Sequence, residues 1–271
     1  MKAVEVDNLS YSYSDGTKAL SNLSLSIPRH KRIAFLGANG SGKTTFLQHL
    51  NGLLLPQVGS VKVMGYQVQK NQLKKIRQLV GMLFDNPEDQ LFSTTVAEDV
   101  AFGPRNLGLD EKEVETRVKQ ALEMVNITDL AGKPPYNISL GQKKRAAIAG
   151  ILAMDAQLLV FDEPFSGLDP GFANQLMSLL EKLFHDGRTI IIATHDVDMA
   201  YAWADQVIIL RKGEVLAEGS SDLLQDAALM KEACLYLPIL VTAFQGTKMY
   251  PRTPEEANQL LWYASRGSKI I

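Results

Sequence analysis

An eight-residue loop near the N-terminus constrains the fold of this chain more than any other feature. Residues 37–44 read Gly-Ala-Asn-Gly-Ser-Gly-Lys-Thr, the full pattern of a phosphate-binding loop. The loop follows the short apolar run at residues 33–36 and precedes a helical stretch, as this motif requires. By composition, the bare pattern would arise by chance in about one chain in a hundred of this length. A plain glycine turn is therefore a negligible alternative.

The residue types in this loop predict how a nucleotide is held. Glycines let backbone N–H groups turn toward phosphates, and the N-terminus of the following helix adds partial positive charge. We expect Lys43 to reach the β and γ phosphates and to take part in catalysis, and Thr44 to ligate magnesium. ATP and Mg²⁺ are thus the expected cofactors. The predicted nucleotide contacts here are Asn39, Gly40, Ser41, Gly42, Lys43, Thr44 and Thr45.

Three short, continuous apolar runs predict a buried parallel sheet. They occupy residues 33–36, 158–161 and 190–193, and runs of this kind are typical of strands buried on both faces. Each run ends in polar residues. Because ligands of open parallel sheets lie beyond the carboxyl ends of the strands, we expect the residues after the three runs to converge on one site.

Asp162 and Glu163 follow the second run and are the predicted centre of the chemistry. In this class of site the first carboxylate holds magnesium through water, and the second takes a proton from the attacking water. A surface pair that serves solubility is the ordinary alternative, but four apolar residues lead directly into this pair. His195 follows the third run. A lone histidine is more often structural, yet its place at a strand end predicts a catalytic role facing the γ phosphate.

Other patterns predict the remaining elements. Residues 4–13 and 20–27 alternate apolar and polar side chains, which favours half-exposed antiparallel strands, and residues 207–210 and 214–217 predict a hairpin. Thr253-Pro-Glu-Glu is a typical helix start. Whether that last helix serves self-association or packs on its own domain stays open.

The order of the motifs resembles that of the nucleotide-binding subunit of an ATP-binding cassette (ABC) transporter over about residues 1–224. The resemblance implies an α/β P-loop NTPase with a mixed, mainly parallel sheet, an antiparallel β subdomain and a helical subdomain at about residues 75–150. The implied ABC ATPase domain covers residues 1–225, and residues 226–271 form a C-terminal helical extension. The matching motifs are the loop, Ser-Leu-Gly-Gln-Lys-Lys-Arg at 139–145, Asp162-Glu163, Ser-Gly-Leu-Asp at 166–169 and His195.

The same resemblance implies a dimer, homodimeric or heterodimeric, that sandwiches two ATP molecules head to tail between one subunit's loop and the other's signature. Ser139, Gly141 and Gln142 would then contact ATP across the interface, and a free helix N-terminus at Ser139 suits a γ phosphate. Tyr13 would stack on adenine, although a core role fits either Tyr13 or its strand-mate Tyr11.

Asp85 departs from the family pattern, which usually has glutamine there. That residue reaches toward magnesium and the γ phosphate, so the resemblance makes Asp85 a candidate ligand of both nucleotide and metal. Because an aspartate adds negative charge beside the phosphates, we expect it to alter the metal dependence or the coupling of ATP closure. The motif Ser-Leu-Gly-Gln also has leucine where glycine is common.

Residues 85–92 and 96–104 are similar to those of energy-coupling factor importers, and residues 139–145 to the cobalt and nickel members. This resemblance implies a peripheral ATPase on the cytoplasmic face of the cell membrane, bound to a transmembrane coupling protein and a membrane substrate-binding subunit. It would energise uptake of cobalt or nickel. The ATPase of a vitamin importer and a soluble cassette ATPase are the alternatives, whereas a P-loop kinase would have no use for the signature.

Charge and hydropathy limit the other possible partners. The formal net charge is −2 and the pI about 6.1, which gives no bulk attraction to nucleic acid, so none is expected as a partner. No stretch approaches the roughly 18 to 20 apolar residues that span a bilayer. Any membrane role is therefore expected to come through a partner.

Overall fold

The computed structural model describes residues 1–265. Its strands are β1 (Lys2–Ser12), β2 (Lys18–Pro28), β3 (Arg32–Leu36), β4 (Val58–Val63), β5 (Tyr66–Gln67), β6 (Val80–Leu83), β7 (Leu158–Asp162), β8 (Thr189–Thr194), β9 (Gln206–Arg211) and β10 (Glu214–Gly219). Its helices are α1 (Lys43–Leu50), α2 (Leu73–Leu79), α3 (Val96–Leu107), α4 (Glu111–Met124), α5 (Leu140–Ala153), α6 (Pro170–His185), α7 (Val197–Trp203), α8 (Ala227–Glu232), α9 (Ile239–Ala243) and α10 (Pro254–Ser265). Several short 3-10 turns connect them.

The larger sheet has six strands in the order β10-β9-β3-β8-β7-β6. Every neighbouring pair is parallel except β9 with β10, which form an antiparallel hairpin at one edge. The three predicted apolar runs are β3, β7 and β8, and they lie side by side in this sheet. The predicted α/β fold with a mainly parallel sheet is therefore confirmed, as is the hairpin at the edge.

Alternate residues of β3 explain why its run is continuously apolar. Ile33 and Phe35 pack on one side of the sheet, where the Phe35 ring stacks on Phe46 of α1 at a centroid distance of 4.7 Å. Ala34 and Leu36 pack on the other side. Both faces of the sheet are covered, so neither set of side chains can be polar.

A four-stranded antiparallel sheet covers the α1 side, in the order β2-β1-β4-β5. Strands β1 and β2 pair over the two alternating segments predicted from the sequence. Their inward side chains join the core formed by β3 and α1. This sheet brings the end of β1 close to the start of α1, where the Tyr13 hydroxyl lies 2.8 Å from Thr45 Oγ1.

Helices α3, α4 and α5 pack against one another within residues 96–153. Each starts with a side-chain cap, from Thr95, Asp110 and Ser139 respectively. Strand β6 lies inside the range predicted as helical, residues 75–150, but belongs to the parallel sheet.

The segment after β10 contains α8, α9 and α10. Helix α10 begins at the predicted place, because Thr253 Oγ1 accepts the backbone N–H of Glu256 at 3.2 Å. Ala257 is buried, whereas Leu261 and Tyr263 are about half exposed. Residues 266–271 of the predicted extension lie outside the described residues. Within residues 1–265, no helix combines the length and apolar character needed to cross a membrane.

Candidate nucleotide-binding site

Four strands of the parallel sheet end at the same edge, and each is followed by a predicted site residue. The register pairs Leu36 with Thr194 and Asp162 with Ala193, so the loop after β3, the carboxylates at the end of β7 and His195 after β8 are neighbours. Asp85 follows the end of β6, next to β7. The topology therefore assembles residues that are far apart in the chain.

Two glycines in the loop are required by its backbone. Gly37 and Gly42 have φ angles of 155° and 104°, in the region that favours glycine. A Cβ atom at Gly37 would lie 2.5 Å from the carbonyl oxygen of Leu210, and one at Gly42 would lie 2.7 Å from that of Ala19. The loop thus packs too closely on its neighbours for any side chain at these positions.

Lys43 folds back over the loop that precedes it. Its Nζ donates to the carbonyl oxygen of Gly37 at 2.6 Å and to that of Ala38 at 3.4 Å. Burial lowers the pKa of Lys43, while the negative charges of Glu163, Asp162 and Asp85 act in the opposite direction. The ammonium is therefore held inside the loop, where a phosphate would lie.

Ser41 and its neighbours complete the loop. The Ser41 hydroxyl is buried and has no hydrogen-bond partner among the described residues. It is therefore available to donate a hydrogen bond to an oxygen of a bound ligand. Asn39, Gly40 and Thr44 are exposed, whereas Thr45 is buried. The predicted nucleotide contacts of the loop therefore include both buried and solvent-facing groups.

The pair Thr44 and Asp162 offers oxygen ligands for a cation. Thr44 Oγ1 donates to Asp162 Oδ2 at 2.5 Å across the end of the sheet. Burial raises the pKa of Asp162, the charges of Asp85 and Glu163 raise it further, and Thr44 and Lys43 oppose them. Hard oxygen donors among excess negative charge suit magnesium, which nucleotide sites hold through one or two side chains together with phosphate oxygens. The residues present fit this ion.

Glu163 is fixed by contacts on both its backbone and its side chain. Its N–H donates to Ala193 O at 2.9 Å. Its Oε2 accepts from Thr194 Oγ1 at 3.0 Å, and its Oε1 lies 2.9 Å from His195 Nδ1. Its φ of 45° is left-handed, a strain of order 1–3 kcal/mol that is typical of functional sites. The carboxylate is thus aimed by two neighbours, as a proton acceptor must be.

His195 lies at the entrance to the site. Its side chain is 68% exposed, compared with 16% for that of Glu163. The ring can therefore reach solvent or a ligand while one nitrogen contacts the glutamate. Sequence reasoning placed His195 here but missed Thr194, whose hydroxyl holds the other oxygen of the same carboxylate.

Tyr13 lies beside the start of α1. Its hydroxyl is 2.8 Å from Thr45 Oγ1, and its ring is 39% exposed. Tyr11, the other candidate, is edge-on both to Tyr13 and to the buried His49, at centroid distances of 5.3 and 5.0 Å. The His49 Nδ1 donates to the carbonyl oxygen of Thr45 at 2.7 Å. Tyr11 therefore packs behind Tyr13, which offers the more accessible ring; sequence reasoning found no sign of His49.

The signature residues lie at the exposed start of α5. The Ser139 hydroxyl accepts the N–H of Gln142 at 3.3 Å, and the Gln142 side chain accepts the N–H of Ser139 at 2.9 Å. Leu140 is 55% exposed. Gly141 faces the turn after β7, because a Cβ there would be in ordinary van der Waals contact with Gly167 O, at 3.5 Å. This capping box occupies the N–H groups of Ser139 and Gln142, so the first-turn N–H groups of Leu140 and Gly141 are those left to face an anion.

Comparison with known proteins shows the family to which the chain belongs. The family described as ABC transporter matches residues 20–166. The energy-coupling factor transporter ATP-binding protein EcfA of Carboxydothermus hydrogenoformans is 45% identical over 262 residues, which are 96% of this chain and 97% of that protein.

Two solved structures show the same fold. CbiO1 from Clostridium perfringens, part of the ABC transporter complex cbiONQ, is 38% identical with a TM-score of 0.72, over 89% of this chain and 98% of that chain. A dimeric ATP-binding cassette in a post-hydrolysis state, bound to ADP and Pi, is 28% identical with a TM-score of 0.74, over 80% of this chain and 98% of that chain. The chain therefore belongs to the ABC transporter family, as an ATPase of the energy-coupling factor type.

Proposed function

We propose that this chain works in a dimer of ATPase subunits that closes on two ATP molecules and thereby drives uptake of a cobalt or nickel ion through a membrane complex. The observation that carries the proposal is the convergence of Lys43, Thr44, Asp162 and Glu163 on one edge of the sheet. A lysine for phosphates, a hydroxyl and carboxylate for a cation, and an oriented carboxylate for water are the parts that ATP hydrolysis needs.

Each side chain has a distinct task in this proposal. Lys43 exchanges its carbonyl partners in the loop for β and γ phosphate oxygens. Thr44 and Asp162 would hold magnesium, with Asp85 as a further acidic group nearby; when bound, the ion neutralises phosphate charge. Glu163 accepts the proton of the attacking water. His195 keeps one carboxylate oxygen in place and faces the entrance.

The dimer supplies what one copy lacks. Ser139, Gly141 and Gln142 lie at an exposed helix start, so they are available to the ATP bound by the other subunit's loop. Tyr13 stacks on adenine at the near end of α1. The solved dimeric cassette bound to ADP and Pi supports an arrangement of this kind.

An apolar groove on the surface is the observation that favours a transmembrane coupling protein as partner. The groove lies between β6, α3 and α5 and has a volume of about 720 Å³. Phe92 and Phe102 meet edge to face at its rim, 67% and 49% exposed. Phe84 in its lining directly precedes Asp85, and α5 in its wall begins at the signature. A helix of the coupling protein docked here would therefore contact the two elements that lead to Asp85 and to the signature.

The assignment of cobalt or nickel as the transported substrate rests on similarity alone. Residues 139–145 resemble those of cobalt and nickel importers, and CbiO1 of the cbiONQ complex is one of the similar structures. A vitamin importer is the alternative, with a separate substrate-binding subunit in the membrane. Uptake of labelled cobalt or nickel, compared with labelled vitamins, by vesicles that contain the whole complex separates the two.

Replacement of Glu163 tests the hydrolytic mechanism. In Glu163→Gln, turnover should fall by about 10²- to 10⁴-fold, because the proton acceptor is lost while the shape is kept. ATP-dependent dimerisation should persist, since the amide leaves Lys43, Thr44 and Asp162 unchanged. Phosphate release and light scattering with and without ATP measure the two effects.

The matched control is Glu123→Gln on the exposed side of α4, which should hydrolyse ATP like the unaltered chain. Turnover within twofold of the unaltered protein in Glu163→Gln would remove this glutamate from the mechanism. Failure of Glu163→Gln to assemble with ATP, either with itself or with a second ATPase subunit of the complex, would contradict the shared site.

A further inference from the structure

Lys144, in the second turn of α5, is buried to an unusual degree for its type. Only 3% of it is exposed, and lysine is almost never fully buried unless its charge is satisfied. Its Nζ donates to the carbonyl oxygen of Glu163 at 2.7 Å and to that of Ser166 at 3.0 Å. A helix that carries the signature thus reaches the backbone of the hydrolytic residue.

These two carbonyls belong to the turn that follows β7. The same Glu163 oxygen also accepts the N–H of Ser166, at 3.3 Å, so the ammonium closes the turn from both ends. Glu163 is the residue whose φ is 45°. A left-handed glutamate persists only when surrounding contacts determine its conformation, and Lys144 supplies two of them from outside the strand.

The neighbouring lysine makes a different contact. Lys143 pairs with Glu88, in the 3-10 turn that follows β6. The charges of Asp85, Glu163 and Asp162 all favour the charged form of Lys144, although burial lowers its pKa. Lys144 is therefore the member of the Lys-Lys-Arg sequence that faces the hydrolytic site.

We infer that Lys144 is a positioning residue: it ties the signature helix to the main chain of Glu163, so that the helix start and the proton acceptor of one subunit move together. Ser139 lies five residues before Lys144 on the same segment, about 7 to 8 Å along a helix. A phosphate held at the helix start, from the ATP of the other subunit, then influences the placement of Glu163 in this subunit. The inference rests on the proposed function.

The test is Lys144→Met in the full-length chain, a change that keeps the volume of the side chain and removes its donors. We expect kcat for ATP hydrolysis to fall by about tenfold or more, since a misplacement of about 1 Å can cost 10²-fold. The KM for ATP and the ATP-dependent dimerisation should stay within twofold, because the hydrogen bonds of the Lys144 ammonium go to Glu163 and Ser166 and not to the phosphate-binding loop. Lys144→Arg, which restores donors for both carbonyls, should recover part of the lost kcat.

Lys119→Met, an exposed lysine on α4 far from the signature in the chain, is the matched control and should keep the kcat of the unaltered chain. A kcat within twofold of the unaltered chain in Lys144→Met would overturn the inference. So would a joint loss of ATP binding and of thermal stability in Lys144→Met with no recovery in Lys144→Arg, since that pattern marks a purely structural lysine. Absence of ATP-dependent assembly in Glu163→Gln, both with itself and with a second ATPase subunit, would instead contradict the proposed function, and the two failures are thereby distinguished.

Discussion

At Asp162, burial and two neighbouring carboxylates act in the same direction on the pKa. The pKa in the folded state therefore lies above that in the unfolded chain, and the folded protein binds its proton more readily. Stability must fall as the pH rises through the window between the two pKa values. Above that window the nucleotide-free protein is less stable than it would be with an unshifted pKa at Asp162.

We therefore expect Asp162→Asn to raise the melting temperature of the nucleotide-free protein at pH 7, and the gain to shrink as the pH is lowered toward the ordinary pKa of aspartate. The extra stabilisation by magnesium with ATP should be lost. Calorimetry across pH measures both effects. Asp169→Asn is the control of opposite sign, because the Phe172 N–H lowers the pKa of Asp169; a lower melting temperature for Asp162→Asn would contradict this account.

Single residues of the site differ in how well the sequence predicts them. Glu163 and His195 were predicted because each follows a buried apolar run, and the structure brings them to one edge of the sheet. Lys144 was not singled out, since nothing local distinguishes it from Lys143; only the fold buries one and leaves the other beside Glu88. The contact between Tyr11 of β1 and His49 of α1 also joins separate elements, so the sequence alone does not reveal it.

At the level of elements, helix α5 contains a glycine without an evident need for one. Gly150 has ordinary helical geometry, and an added Cβ would meet only Asp99 O, at 4.0 Å. Gly150→Ala should therefore stabilise the isolated chain by about 0.5–1 kcal/mol, seen as a melting temperature higher by about 2 °C.

Gly103→Ala on α3 is the comparison, because its Cβ would lie 2.6 Å from Met154 Cγ. We expect it to give less stabilisation than Gly150→Ala or none. The opposite ranking would show that helix propensity does not decide stability at these positions.

The sequence predicted β3, β7 and β8 because each is a continuous apolar run. It did not predict β6. Strand β6 has only four residues and includes Gly81, where a Cβ would lie 2.6 Å from an Ile151 side-chain atom of α5. Its strand conformation depends on pairing with β7 and on this close packing. Neither contact is visible in a short stretch between two helical patterns.

At the scale of the whole molecule, the groove between β6, α3 and α5 determines attachment to the membrane complex in our proposal. Phe92→Ser should reduce recovery of the transmembrane coupling protein with this chain by about tenfold, because an exposed aromatic anchor at an interface is commonly worth more than 1 kcal/mol. Purification from detergent-solubilised membranes with a tag on this chain measures the recovery.

The control for that experiment is Met124→Ser at the end of α4, a side chain that is 49% exposed and lies outside the groove. Both variants should keep the melting temperature of the isolated chain, since surface changes of this kind cost little. Equal recovery of the coupling protein with Phe92→Ser and with the unaltered chain would show that the groove is not the docking surface.

The exposed position of Ser139 has a kinetic consequence. When the phosphate-binding loop and the signature come from different subunits, a single subunit lacks half of the site. The rate of ATP hydrolysis by free subunits at low concentration then rises with the square of the subunit concentration. Fixing two copies on one complex makes their encounter intramolecular, and the reaction becomes first order. Unassembled subunits then hydrolyse little ATP, because hydrolysis begins only when two subunits are brought together.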